Sequence, residues 1–63
     1  MTRQTFYDWY VEFRHPVQGF AKRYSVGAYK YEQAIRDAKA ELVKAGYRPE
    51  DFDVVEVRRG KFL

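Results

Sequence analysis

A chain of 63 residues is one small domain, and at this size folding buries only about 60% of the surface that the unfolded chain exposes. The absence of cysteine excludes disulfides and thiolate metal sites, and the single histidine has no second histidine with which to share a metal. The formal net charge of +3 is too small to identify a polyanionic partner by itself. Aromatic residues, at 19% of the chain, must therefore supply much of the core.

The first predicted element is a strand over residues 6–14 that carries rings on both sides. One side repeats large apolar residues at every second position, which predicts a core face made of Tyr7, Trp9, Val11 and Phe13. Phe6 and Tyr10 fall on the other side, together with Asp8, Glu12 and Arg14. Two aromatic rings are not expected on a side that faces only water, so we expect that another part of the chain or a partner contacts them.

A short hairpin loop and a second strand follow. Pro16 and Gly19 are typical turn residues, and residues 20–28 alternate again. The predicted inward positions of this strand are Phe20, Tyr24, Val26 and Ala28. Lys22 interrupts the inward pattern, and we expect its aliphatic stem to cross the edge of the core while its ammonium stays in water.

Residues 31–45 change to a period of 3.6, which predicts one amphipathic helix. Its apolar stripe is Tyr31, Ala34, Ile35, Ala38, Leu42 and Ala45. Gly46 fits the left-handed position that ends many helices. The alanines predict a close approach to the sheet, so the large rings of the strands must fill the gap.

A third strand is predicted over residues 52–58, with Val55 and Val57 inward and Val54, Glu56 and Arg58 outward. A right-handed crossover through the helix places strand one at the centre, in the order 2-1-3. The sequence thus predicts a single ββαβ domain of the α+β class over residues 1–63, in which a three-stranded antiparallel sheet carries one helix on one face. Residues 59–63 could form a flexible basic tail.

Two segments without acidic residues lead to the first functional hypothesis, a non-enzymatic nucleic-acid-associated module. Clustered cations contact phosphates and release counterions, whatever the base sequence, and DNA and RNA are not distinguished by this signal. Ordinary hydration of a hairpin tip explains the same residues and stays open as an alternative. The predicted phosphate-binding residues are Arg14, Lys22, Arg23, Arg58, Arg59 and Lys61.

The side of the sheet without a helix leads to two further hypotheses, a homodimer and a protein-binding adaptor or inhibitor. Rings there would gain by burial, and mixed charges could pair across a two-fold axis or with a partner. An ordinary salt-bridged surface is the simpler explanation of the same residues. The predicted interface residues are Phe6, Tyr10, Glu12, Val54 and Glu56.

The sequence predicts no enzyme, cofactor or metal site. His15 is interpreted as a turn residue, because neither Ser25 nor any other side chain forms a convincing nucleophile pair with it. Glu50, Asp51 and Asp53 lack the spacing of a Ca²⁺ loop. A subunit of an oligomeric enzyme of the short tautomerase type would need an N-terminal proline, which this chain lacks.

The chain contains no long apolar run, so we expect a cytoplasmic protein without a membrane partner. In size and fold alone, such a domain is comparable with small accessory proteins, including those encoded by bacteriophages.

Overall fold

The computed structural model describes the backbone of residues 5–62 and the side chains of residues 5–61. The strands are β1 (Tyr7–Arg14), β2 (Ala21–Ala28) and β3 (Asp53–Phe62), the helix is α1 (Tyr31–Lys44), and a short 3-10 helix spans Pro49–Asp51. The sheet has the order β2-β1-β3, and β1 pairs antiparallel with both neighbours. The predicted α+β fold and strand order are confirmed.

The β1–β2 hairpin has an uninterrupted register, from Tyr7 opposite Ala28 to Arg14 opposite Ala21. Its loop closes through two backbone bonds, from the His15 N–H to the Phe20 carbonyl at 2.9 Å and from the Gly19 N–H to the His15 carbonyl at 2.8 Å. Gly19 has a φ of +81°, a left-handed conformation that glycine adopts without steric cost. The loop therefore fixes which residues of β1 and β2 share a face.

Strand β3 continues to Phe62, which lies opposite Tyr7. Residues 59–62 thus belong to the sheet, where the sequence allowed a flexible basic tail. The reason is that β1 begins at Tyr7 and offers backbone groups along its whole length to a strand on this side. Only a strand of about ten residues can use all of them.

The register between β1 and β3 shifts twice, and the shift near the middle changes the face of one valine. Glu56 lies opposite Glu12, but Val54 lies opposite Phe13, so Val55 is an extra residue. Because residues directly opposite each other share a face, Val54 lies on the same side as the buried Phe13. The predicted outward position of Val54 is wrong, because the bulge breaks the strict alternation from which it was deduced.

The core lies between α1 and the side of the sheet that carries Trp9, Val11 and Phe13, as predicted. The helix packs mainly against β2, and its buried positions Ala34 and Ala38 let it lie close to the strands. The most deeply buried large side chains of the core are Phe13, Leu42 and Val11. The buried Trp9 indole N–H donates to the Ala28 carbonyl at 2.9 Å, so the ring is anchored by a polar contact as well as by packing.

The two ends of α1 are satisfied differently. At its start the side chain of the N-cap residue Lys30 makes no capping hydrogen bond. The Gln33 side-chain oxygen instead accepts a hydrogen bond from the Tyr29 N–H at 2.9 Å. At its end Gly46, with φ at +92°, donates to the Val43 carbonyl, and Tyr47 donates to the Leu42 carbonyl, both at 3.0 Å. These two bonds are those of a Schellman motif. Within residues 5–62, no helix combines the length and the apolar character needed to cross a membrane.

Candidate interaction face

We call the side of the sheet that α1 leaves uncovered the open face. The strand register assigns its members, since opposite residues share a face. It carries four carboxylates, three guanidinium groups and one aromatic ring, and three of its four β2 positions are small. The open face consists of Asp8, Tyr10, Glu12 and Arg14 on β1, Ala21, Arg23, Ser25 and Gly27 on β2, and Asp53, Glu56 and Arg58 on β3.

Tyr10 is the one aromatic side chain of the open face. It lies between Ser25 on one neighbouring strand and Arg58 on the other. The Arg58 guanidinium carbon is 4.8 Å from the centre of the ring, and the Tyr10 hydroxyl donates to Glu12 Oε1 at 2.9 Å. Partial desolvation, and next the bond to the Glu12 carboxylate, raise the pKa of Tyr10 above its ordinary value. The ring is thus held in one orientation by two polar neighbours.

Two of the four carboxylates of the open face, those of Glu12 and Glu56, are already engaged by neighbouring arginines. Glu12 and Glu56 lie directly opposite each other, an arrangement that is unfavourable for two like charges. Each has a guanidinium partner, with Arg23 Nε at 3.5 Å from Glu12 Oε1 and Arg58 Nε at 2.8 Å from Glu56 Oε2. The side chain of Glu12 is only 12% exposed, although no helix or strand among residues 5–62 covers this face. Its immediate neighbours, Tyr10 and Arg23, therefore shield it.

The predicted phosphate-binding residues do not form one cluster in the structure. The register places three on the open face and two on the helix side, and the last lies beside the second register shift. They are Arg14, Arg23 and Arg58 for the open face, Lys22 and Arg59 for the helix side, and Lys61 near the shift.

The two helix-side cations lie over aromatic rings at opposite ends of the sheet. The Lys22 ammonium is 5.0 Å from the centre of the Tyr47 ring, which fits the expectation that its stem crosses the core edge. The Arg59 guanidinium carbon is 4.6 Å from the centre of the Tyr7 ring. Both contacts are cation–π arrangements of the kind that stabilises a partly exposed ring.

Of the predicted interface residues, Tyr10, Glu12 and Glu56 lie together on the open face. Phe6 precedes β1 and packs edge-on against Tyr29, with ring centres 4.9 Å apart, so another residue of this chain covers part of its ring. Val54 is absent from this group because the bulge places it on the helix side.

Sequence reasoning missed an aromatic cluster at the hairpin end of the molecule. His15 stacks on Phe20 with ring centres 5.4 Å apart and meets Phe52 edge-on at 5.3 Å, and Tyr47 contacts both phenylalanines. His15 Nδ1 also accepts the N–H groups of Val17 and Gln18, at 3.3 and 3.0 Å. The histidine is thus a structural turn residue. The signal available in the sequence was that each ring borders a turn.

Two shallow cavities lie away from the open face. One, of about 240 Å³, is lined by the hairpin-end aromatics together with residues 46, 48 and 51, and the other, of about 460 Å³, lies at the start of α1. Beside the first, the bond from its own N–H, and then Arg48, lower the pKa of Glu50. In the described part of the chain, no three His, Asp or Glu side chains are grouped so as to hold a metal ion.

Comparison of the chain with protein-family models, with curated proteins and with solved structures found no match. Functional inference for this protein therefore depends on the geometry of its surfaces.

Proposed function

We propose that this chain is a non-enzymatic module that binds another protein through the open face of its sheet. The observation that carries the proposal is the arrangement around Tyr10, an oriented ring inside a network of paired charges on a face that no element of the described chain covers. Aromatic anchors surrounded by polar groups are typical of the centres of protein interfaces.

Charge favours a protein over a nucleic acid as the partner at this face. Four carboxylates against three guanidinium groups give the open face a formal charge of −1, and the carboxylates repel phosphates. Arg23 and Arg58 are already paired with Glu12 and Glu56, so a phosphate would have to compete for them. A protein surface with both signs of charge can satisfy the same groups without breaking the pairs.

The shape next to Tyr10 also suits a protein side chain. Ser25 and Gly27 on β2 lie beside the ring and beside Asp8, so the open face is lower on this side than over β3. A partner residue could fill that depression and pack against the edge of the Tyr10 ring.

The area of the open face argues against its use for face-to-face self-association. Three strands about 4.8 Å apart, each with about eight residues at roughly 3.3 Å, span about 380 Å². Two such faces together bury about 760 Å², which is the size of a typical packing contact in a crystal. The same limit applies to another protein that contacts a single open face, so a stable complex requires this face to be part of a larger surface.

The test is an affinity capture from nuclease-treated extract of the source cells, with the captured proteins identified and quantified by mass spectrometry. Ser25→Arg places a long side chain over the depression, and Tyr10→Ala removes the anchor. The expected result is one set of proteins retained by the natural chain and reduced at least about tenfold by either change, which corresponds to loss of one anchor.

Tyr31→Ala is the matched control, because Tyr31 is an exposed tyrosine on the helix. It should capture the same proteins as the natural chain. Equal capture by the Tyr10→Ala and Ser25→Arg variants, with all variants folded by circular dichroism, would refute binding through the open face.

Nucleic-acid binding stays a second candidate, and the contact between Arg59 and Tyr7 is the observation that favours it. A guanidinium over a ring, in a segment without acidic residues, offers both a phosphate contact and a stacking surface. In this hypothesis the nucleic-acid-binding site lies on the helix side, at the end of the sheet near the start of α1.

Fluorescence anisotropy of a labelled single-stranded oligonucleotide at low salt tests this candidate. Arg59→Ala should weaken binding several-fold, whereas Arg36→Ala, which removes an exposed helix cation, should change it little. Absence of binding at high protein concentration, or equal weakening by both changes, would remove the candidate.

A further inference from the structure

The outer edge of β3 is a second surface that the fold leaves open. In the order β2-β1-β3, one side of β3 pairs with β1, and within residues 5–62 no strand pairs with the other side. Two valines near its beginning, Val54 and Val55, are 38% and 48% exposed. An edge strand with free N–H and C=O groups and exposed valines is a template for another strand.

Geometry limits how β3 could pair with β3 of a second copy. In an antiparallel two-fold pair each residue must lie opposite one with the same side-chain face and the same hydrogen-bonding direction. Both properties alternate along the strand, so the two-fold axis must pass through a residue and not between two residues. The regular part of β3 lies between its register shifts, from Glu56 to Arg59, which leaves four central residues to consider.

The charges that lie opposite each other distinguish the four possible registers. An axis through Glu56, Arg58 or Arg59 places that residue opposite its own copy, which brings two like charges together. An axis through Val57 places valine opposite valine and Glu56 opposite the partner's Arg58, twice by symmetry. Further out, this register also brings Asp53 towards the partner's Lys61. It is the one register centred in the regular segment without a like-charge pair.

We propose that two copies of this chain associate edge to edge through β3, with the two-fold axis at Val57, and form a continuous six-stranded sheet. Each Glu56 then lies between Arg58 of its own strand, already 2.8 Å away, and the partner's Arg58. On the helix side, Val57 pairs with its copy and extends the apolar surface towards the exposed valines.

This inference extends the proposed function, because the pairing doubles the open face. Six strands give a continuous surface of about 760 Å², close to the roughly 800 Å² that each partner contributes to a standard protein interface. The area that is too small in one chain becomes sufficient in two. The pairing itself is measured on the purified chain alone, so its failure is distinguishable from failure of partner binding.

The test is multi-angle light scattering of the purified chain over a range of concentrations, after nuclease treatment. The natural chain should give twice the mass of one chain at high concentration. Glu56→Arg and Arg58→Glu each place like charges opposite each other across the axis and should raise the dimer dissociation constant at least about tenfold.

Mixing the two single variants distinguishes this register from a general effect on stability. Glu56→Arg in one chain and Arg58→Glu in the other restore both opposite-charge pairs across the axis, although the ion pair within each strand stays broken. The mixture should therefore form a heterodimer while each variant alone is monomeric, with circular dichroism showing that both are folded.

Arg23→Glu makes the same charge change on the opposite edge strand and should leave dimerisation unaltered. A natural chain that stays monomeric at millimolar concentration would overturn the proposal. Single variants that dimerise like the natural chain, or a mixture that stays monomeric, would overturn it as well.

Discussion

The two faces of β1 are built from alternate residues of one strand but are held by different forces. On the helix side, Trp9, Val11 and Phe13 are buried in the apolar core. On the open face, Tyr10 and Glu12 are held by a hydrogen bond and by arginines from both neighbouring strands. Burial stabilises the first face strongly, because the transfer of apolar surface out of water is the main driving force of folding. Oriented polar contacts contribute less to stability, so the second face is free to serve recognition.

Truncation of one ring on each face should show the largest difference between the two faces. Phe13→Ala should destabilise the fold by about 3–5 kcal/mol, because it removes a fully buried ring and leaves a cavity. A domain of this size has a stability of roughly 3–9 kcal/mol, so a large unfolded fraction is expected.

Urea denaturation followed by circular dichroism measures the change, and Tyr10→Ala is the comparison on the open face. It should keep a cooperative transition close to that of the natural chain. A Tyr10→Ala variant as unstable as Phe13→Ala would show that both faces contribute equally to stability.

The next effect concerns the polar contact inside the core. Trp9→Phe keeps an aromatic ring but removes the indole N–H that donates to the Ala28 carbonyl, so that carbonyl loses its side-chain donor. A loss of about 2 kcal/mol is expected in the same denaturation experiment. The control is Tyr10→Phe, which removes a polar group from the open face, where water can replace it. Equal losses from both changes would contradict the contrast between the faces.

A third effect concerns Gly60, whose backbone lies close to that of Asp8. A Cβ at position 60 would lie 2.7 Å from the Asp8 carbonyl oxygen, so Gly60→Ala must displace the β1–β3 backbone at the second register shift. We expect a loss of about 1–2 kcal/mol. Ser25→Ala, an exposed position in the same sheet, should change the midpoint little. An unchanged midpoint for Gly60→Ala would mean that the shift relaxes without strain.

The smallest expected effect is on ionisation. The raised pKa of Tyr10 means that folding favours its neutral form, so this contribution is present below the pKa of an unfolded tyrosine and is lost as pH rises through the folded value. Ultraviolet titration should show a late tyrosine component that Tyr10→Phe removes. Glu12→Gln should shift it to lower pH, because the Glu12 charge is one of its causes. A late component that survives Tyr10→Phe would assign the raised pKa elsewhere.

The sequence predicted the helix side of the sheet well, because burial imposes strict periodicity. The alternation of Tyr7 to Phe13 and the alanine stripe of α1 each had one consistent interpretation. Val54 was assigned to the wrong face because the sequence pattern does not reveal a bulge. The position of the bulge is known only from the pairing of β3 with β1. The cluster of His15, Phe20 and Phe52 was missed for a related reason, since tertiary contacts between turns have no fixed spacing.

The candidate interaction face was predictable only in part. Alternation along β1 identified Tyr10 and Glu12, and a salt-bridged surface was one of the explanations that the sequence left open. The division of the basic residues between two faces was not predictable, because it depends on the exact register of β3. The extension of β3 beyond residue 58 was not predictable either, because Gly60 and Lys61 are residue types that strands contain less often than average.

The pairing of Tyr7 with Phe62 has a consequence for biosynthesis. The central strand pairs with a strand that begins more than 40 residues after its own first residue, so the sheet cannot be completed until residues 53–62 have been synthesised. Contacts of such long sequence separation slow folding relative to a chain of equal size with local contacts. Until then one edge of β1, flanked by Trp9 and Phe13, stays exposed to other nascent chains. The late pairing of β3 is therefore the step of folding at which aggregation competes most directly with the native sheet.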